Sequence, residues 1–166
     1  SSGGWAGTLY FPTLTTQSGS PYDTYDISMN SSLGELQSLW DMLYREVNRC
    51  NAAVTRAAAV TGMVDSVKNT RIGEAKFLRS LSFFWAVQQW GDIPMPLTET
   101  TTGSLTVKMT VAKDVYTQII TDLNDAIAKL PVTQKDAGRV TKGAAQFLLA
   151  RVYLTRGWNF NNSLGG

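Results

Sequence analysis

The chain has 166 residues, 43% of them hydrophobic and 17% charged, with a formal net charge of +2. That length can bury one real core, and the composition excludes a highly charged disordered tail. There is no histidine and one cysteine, Cys50, which excludes histidine acid–base chemistry, a His-assisted nucleophile, an internal disulfide and a cysteine metal cluster.

Charge distribution narrows the classes further. No Lys or Arg precedes Arg45, while Asp23, Asp26, Glu35 and Asp41 do occur there. That stretch has no electrostatic footprint for nucleic acid. No run of 18 apolar residues marks a transmembrane helix. The start, Ser1-Ser-Gly-Gly, lacks the charged and apolar regions of a signal peptide. The chain reads as a mature piece whose addressing sequence lies elsewhere.

Residues 1–32 show neither helical nor strand period, with Pro12 and Pro21 as breakers. They read as a long extended loop, and Trp5, Tyr10, Phe11, Tyr22 and Tyr25 speak for its being ordered. A first helix is expected from about Leu33 to Thr61. Its stripe is Leu36, Leu39/Trp40, Leu43/Tyr44, Val47, Cys50 and Val54, with Ser32 and Glu35 as a capping box and Gly62 as the stop. Cys50 falls on that stripe and reads as a buried structural thiol.

A second helix is expected from about Arg71 to Trp90, with Phe77/Leu78, Leu81, Phe84/Trp85 and Val87/Gln88 as its stripe. Gly91 supplies a left-handed C-cap, and Pro94 and Pro96 force Ile93 and Met95 into extended conformations. Residues Thr98–Thr110 read as a linker or short edge strand. The third helix runs from about Val111 to Leu130, capped by Thr110, striped by Val115, Ile119, Leu123, Ala126/Ile127 and Leu130, and ended by Pro131. The fourth runs from about Thr141 to Arg156. Its Ala144, Ala145, Leu148, Leu149, Val152 and Tyr153 read as a buried helix with a small-residue face. Residues 159–166 read as a loop. The fold class is therefore all-α: about four main helices in degenerate tetratricopeptide-like pairs, over residues 33–158, behind a long N-terminal loop.

No phosphate loop, metal motif or nucleophile elbow occurs. Asp23 and Asp26 are the one carboxylate pair near aromatics, and nothing around them suggests a raised pKa for glycoside hydrolysis. No catalytic residue, metal ligand or cofactor is assigned. Asp92 is expected to bond nearby backbone amides. Asn48 and Asn51 are expected to tie down a loop, and Glu74 and Arg79 to serve packing and ion pairing.

Four segments carry a family resemblance. They are Leu39-Trp-Asp-Met-Leu-Tyr-Arg-Glu-Val-Asn-Arg-Cys-Asn51; Gly73-Glu-Ala-Lys-Phe-Leu-Arg79 followed by Trp90-Gly-Asp-Ile-Pro94; Val115-Tyr-Thr-Gln-Ile-Ile-Thr-Asp-Leu-Asn-Asp-Ala-Ile-Ala-Lys-Leu-Pro131; and Gly138-Arg-Val-Thr-Lys-Gly-Ala-Ala-Gln-Phe-Leu-Leu-Ala-Arg-Val-Tyr-Leu154. In order and spacing they resemble the SusD/RagB-like nutrient-binding lipoproteins of the Bacteroidetes cell surface. The resemblance implies tetratricopeptide-like helix pairs and non-catalytic capture of glycans, or sometimes peptides. It also implies a TonB-dependent outer-membrane transporter as partner, and a surface-exposed outer-membrane location through a lipid anchor outside this chain.

Sugars present C–H faces that lie on aromatic rings and hydroxyls that need amide or carboxylate partners. Trp5, Tyr10, Tyr22, Asp23, Tyr25 and Asn30 supply both kinds of group and are the ligand-binding candidates. Asn159, Asn161 and Asn162 are weaker ones. The alternative is that these aromatics pin the loop to the helices. A rival function is a helical-repeat scaffold gripping a peptide or protein. It requires Trp40, Phe84, Trp85 and Trp90 to line an open groove, whereas helical periodicity predicts them mostly buried.

Overall fold

A computed structural model describes residues 34–101 and 108–158. Within these, four helices follow one another: α1 (Gly34–Ala59), α2 (Asp65–Trp90), α3 (Ala112–Lys129) and α4 (Lys142–Gly157). Two short strands, β1 (Ile93–Pro94) and β2 (Met109–Thr110), lie between α2 and α3. The chain divides into two units between Met42 and Leu43. The described part of the first is the opening of α1, and all other elements belong to the second.

The sequence dictates α3 most directly. Val115, Ile119, Leu123, Ala126 and Leu130 recur at three- and four-residue steps, and all are buried. Each large one contributes roughly 1.5–3 kcal/mol when fully buried. α3 is the helix against which both α2 and α4 pack, α2 most extensively. Ala126, Leu130 and Ala145 form a shared core there, with Phe77, Ile127 and Val140 packed against it. On α1, Leu43, Val47 and Cys50 form the buried stripe.

The boundaries have local causes. Gly62 has φ 81° and Gly91 has φ 71°, a region that favours glycine. The Gly91 N–H still closes on the Val87 carbonyl at 3.0 Å, yet its ψ of −114° is not that of a left-handed helical cap. α3 ends as Leu130 turns extended, the conformation that the following Pro131 demands. At the start of α4, the Thr141 hydroxyl accepts from the Ala144 N–H at 3.3 Å, a side-chain N-cap.

Several expectations need correction. The N-cap of α3 is Val111, with no side-chain cap, rather than Thr110. Thr110 is instead spent in β2, opposite Ile93. α2 begins six residues before Arg71, at Asp65. Residues 65–70 are polar apart from Val67 and mostly exposed, so no apolar stripe announces that turn. The buried side of α2 is Gly73, Ala75, Arg79, Ser80, Ser82, Phe83, Phe84, Ala86 and Val87. Leu78, assigned to the apolar stripe, is exposed. α4 is buried along one side only, through Ala145, Leu148 and Val152, while Tyr153 faces out. The proposed Ser32 cap lies outside the described residues.

Candidate functional site

The described residues hold a polar assembly that fixes the extended segment after α2. One side of α1 presents Tyr44, Asn48 and Asn51 at steps of four and three, so they share a face. The Tyr44 hydroxyl donates to the Pro94 carbonyl at 2.6 Å. The Asn48 side-chain oxygen accepts from the Thr100 N–H at 2.7 Å, and its amide donates to the Thr100 carbonyl at 3.3 Å. That reciprocal pair imitates a β-ladder. The Asn51 amide donates to the carbonyls of Pro96 at 2.9 Å and Thr98 at 3.0 Å. Three α1 side chains thus serve backbone groups that prolines and the extended conformation leave unpaired.

Arg79 on α2 completes the assembly. Its guanidinium donates to Asn51 Oδ1 at 2.7 Å and to the Leu97 carbonyl at 3.3 Å. Its other edge meets both carboxylate oxygens of Asp122 on α3, each at 2.8 Å. Arg79 is 4% exposed and Asp122 1%. Such a bidentate pair matches guanidinium to carboxylate geometry. Gln118 Nε2, at 3.2 Å, also donates to Asp122. Lys76 sits 3.8 Å from Asp122 and 2.8 Å from Asp125, and Lys129 also pairs with Asp125. Burial alone would raise the Asp125 carboxyl, but hydrogen bonds from Lys129 and Lys76 outweigh it and hold it below the usual range.

A second cluster clasps the loop between α3 and α4. Arg139 Nη1 bonds both Glu74 oxygens at 3.0 Å. Gln134 and Arg71 each reach Glu74 at 2.9 Å. Burial would raise Glu74, but these hydrogen bonds, Arg71 and Arg139 foremost, prevail and lower it. The Lys142 N–H closes the loop onto the Pro131 carbonyl at 2.9 Å. At the other end of α3, Asp92 Oδ1 accepts from the Ala112 N–H at 2.8 Å. The Gly-Asp-Ile-Pro turn thereby anchors the helix start that Thr110 does not cap.

These groups are spent on backbone and on one another. Every carboxylate named is already matched by cations or amides. Among the described residues no group of three or more His, Cys, Asp or Glu could hold a metal ion. Cys50 is buried beside Glu46, and burial first, then that neighbouring carboxylate, pushes its thiol up to about 12. The structural roles expected for Asn48, Asn51, Glu74, Arg79 and Asp92 are the ones observed. Sequence reasoning missed Asp122, which reads there as one more polar position of α3. Its signal was a carboxylate on the same helix side as Ile119, Leu123 and Ala126.

The ligand-binding candidates Trp5, Tyr10, Tyr22, Asp23, Tyr25 and Asn30 lie outside the described residues, as do Asn159, Asn161 and Asn162. Of the four groove-lining aromatics, Phe84 is buried and meets Tyr116 edge-on at 6.3 Å between centroids. Trp40, Trp85 and Trp90 are only half-buried, so the expectation that these four rings are mostly buried holds fully for Phe84 alone.

Comparison with known proteins supplies what these residues do not. The SusD-like family model described as starch-binding and associating with the outer membrane matches residues 10–154. A SusD-like protein of Bacteroides ovatus is 31% identical over 128 residues, covering 75% of this chain and 23% of the relative. A laminarin-binding SusD-like protein superposes with TM-score 0.69 at 31% identity, over 78% of this chain and 28% of its own. A structure with a xylogluco-oligosaccharide superposes with TM-score 0.67 at 30% identity, over 77% and 26%. The chain spans about a quarter of the length of these relatives. With α1, α2, α3 and most of α4 in the matched range and the fold shared with solved members, this chain belongs to the SusD-like family.

Proposed function

We propose that this chain is part of a non-catalytic glycan-capture protein at the bacterial cell surface. The observation that carries the reading is its membership of a starch-binding family, with solved neighbours described as laminarin-binding or in complex with a xylogluco-oligosaccharide. Capture would be non-covalent. Aromatic rings stack on sugar faces while amides and carboxylates read hydroxyls. Trp5, Tyr10, Tyr22, Asp23, Tyr25 and Asn30 have the chemistry for this part of the site. The helical body serves as scaffold. A TonB-dependent transporter is the proposed partner for import, and a lipid anchor outside this chain the proposed attachment to the outer membrane.

The rival reading, a peptide-gripping scaffold, needs an open aromatic groove. Burial of Phe84 against Tyr116 takes one of its four aromatics out of any groove, while Trp40, Trp85 and Trp90 are half-buried. The test is a titration of tryptophan fluorescence in the polypeptide as its cell makes it, against plant, host and microbial polysaccharides. Saturable binding weakened at least tenfold by Trp5→Ala or Tyr25→Ala supports both function and site. Binding insensitive to both keeps the function and rejects these residues. No response to any glycan from folded protein rejects the reading.

A further inference from the structure

The loop between α3 and α4 is closed at its base, where the Lys142 N–H meets the Pro131 carbonyl. At its far end Val140 packs on the core of Ala126, Leu130 and Ala145. Between these anchors the loop buries almost nothing: of residues 132–139, all are exposed except the half-buried Gln134. Among the described residues, a single group outside the loop holds that stretch by hydrogen bonds. It is Glu74 of α2, which accepts from Gln134 at 2.9 Å and from Arg139, through both carboxylate oxygens, at 3.0 Å.

We infer that Glu74 is the latch of a flap, residues 132–139, which opens as a unit while α2, α3 and α4 stay packed. Local opening is easiest where few apolar contacts are lost, and this stretch has almost none to lose. Opening also strands no charge. Glu74 keeps Arg71 of its own helix at 2.9 Å. Arg139 keeps Asp136 of the loop at 3.2 Å. Gln134 keeps the Val140 carbonyl. Each member of the clasp therefore has a second partner on its own side of the gap. Arg79 and Asp122 differ in kind, since parting them would leave two buried charges facing no counter-ion. Water also reaches the latch: the Arg139 side chain is 37% exposed and that of Glu74 13%. At the tip, Gly138 with φ 86° reverses the chain, and Arg139 bonds back to Asp136 across that turn, so the stretch carries its own tie when it moves.

Trypsin, added to the polypeptide as its cell makes it, tests this. Arg139 must leave Glu74 before its side chain can enter the protease's specificity pocket, and cutting tracks the open population when closing is the faster step. Glu74→Ala should speed the cut between Arg139 and Val140 at least tenfold. Gln134→Ala, which removes one strand of the latch, should speed it less and add nothing in the Glu74→Ala background. Arg71→Gln takes away the partner that Glu74 keeps in the open state and should slow the cut. A rate unmoved by Glu74→Ala overturns the inference, and so does a faster cut in Arg71→Gln, which would mark general destabilisation. A wild-type rate that climbs with urea as steeply as global unfolding does so too, because the loop would then open only when the helices part.

Discussion

Arg79 and Asp122 face each other across α2 and α3 with two 2.8 Å hydrogen bonds, both side chains buried. The same guanidinium holds Asn51 of α1 and the Leu97 carbonyl, so one cation joins three helices and the segment after α2. A buried pair of this kind is costly to break rather than cheap to keep. Asp122→Ala should destabilise by about 3–5 kcal/mol, read from urea unfolding. The double replacement Arg79→Met with Asp122→Leu should cost less than Asp122→Ala alone. Losses for Arg79→Met and Asp122→Leu that simply add in the double replacement would mean the two residues do not act as a pair.

Asn51 is fully buried and serves two carbonyls and one guanidinium. Asn51→Leu keeps most of the volume and strands all three. The expected loss is about 3 kcal/mol, the low end of about 1–3 kcal/mol for each of three groups, because the two carbonyl bonds are only partly buried. Tyr44→Phe removes only the hydroxyl bond to Pro94 and should cost about 1 kcal/mol. Thermal unfolding that ranks Tyr44→Phe as the worse of the two would contradict this assignment.

Gly73 lies where a Cβ would meet Leu130 Cγ at 3.1 Å and Lys129 Cβ at 3.2 Å. The Lys129 Cβ is fixed by its own backbone, so it cannot turn aside as a side-chain end could. Gly73→Ala gains about 1 kcal/mol of helix propensity but overpacks the contact by about 1–3 kcal/mol, so a net loss is expected. Gly143, within α4, would meet only Thr141 Oγ1 at 3.9 Å. Gly143→Ala should stabilise by about 0.5–1 kcal/mol. Opposite shifts in melting temperature check both.

Glu74 is held below its ordinary value of 4.5. A carboxylate depressed in the folded state contributes stability that is present above the unfolded value and lost as pH falls through the folded one. Stability should therefore fall as the pH is lowered from about 5 to 3, with Asp125, also depressed, adding to the slope. Glu74→Gln should lower the melting temperature near neutral pH and flatten that acid slope. A variant whose slope matches wild type would remove Glu74 from the acid response.

How legible this was depended on what filled the buried faces. α3 could be read because its core side is Val115, Ile119 and Leu123, apolar in regular steps. α2 was mis-phased because Arg79, Ser80 and Ser82 occupy its buried side, and hydrophobic periodicity scores such residues as solvent. The burial of Arg79 is made tolerable by Asp122 and Asn51, partners that lie 43 and 28 positions away in the chain, beyond any local pattern. α4 was over-read as buried because both of its sides are apolar. The polar fastening of Asn48, Asn51 and Asp92 was legible from amide and carboxylate chemistry near prolines. The aromatic ligand candidates fall in residues 1–33, outside the region described, and rest on their chemistry alone.

The two-residue ladder of Ile93 with Thr110 and Pro94 with Met109 has a consequence for how the molecule can vary. Together with the Asn48 grip on Thr100, it fixes both ends of the stretch 101–108. Once the ends of a loop are fastened, each doubling of its length costs only about 0.6 kcal/mol of closure entropy. Because Thr100 and Met109 are each anchored to the described frame, a longer connection between them need not disturb those anchors, and related chains can differ in length there while keeping the same frame.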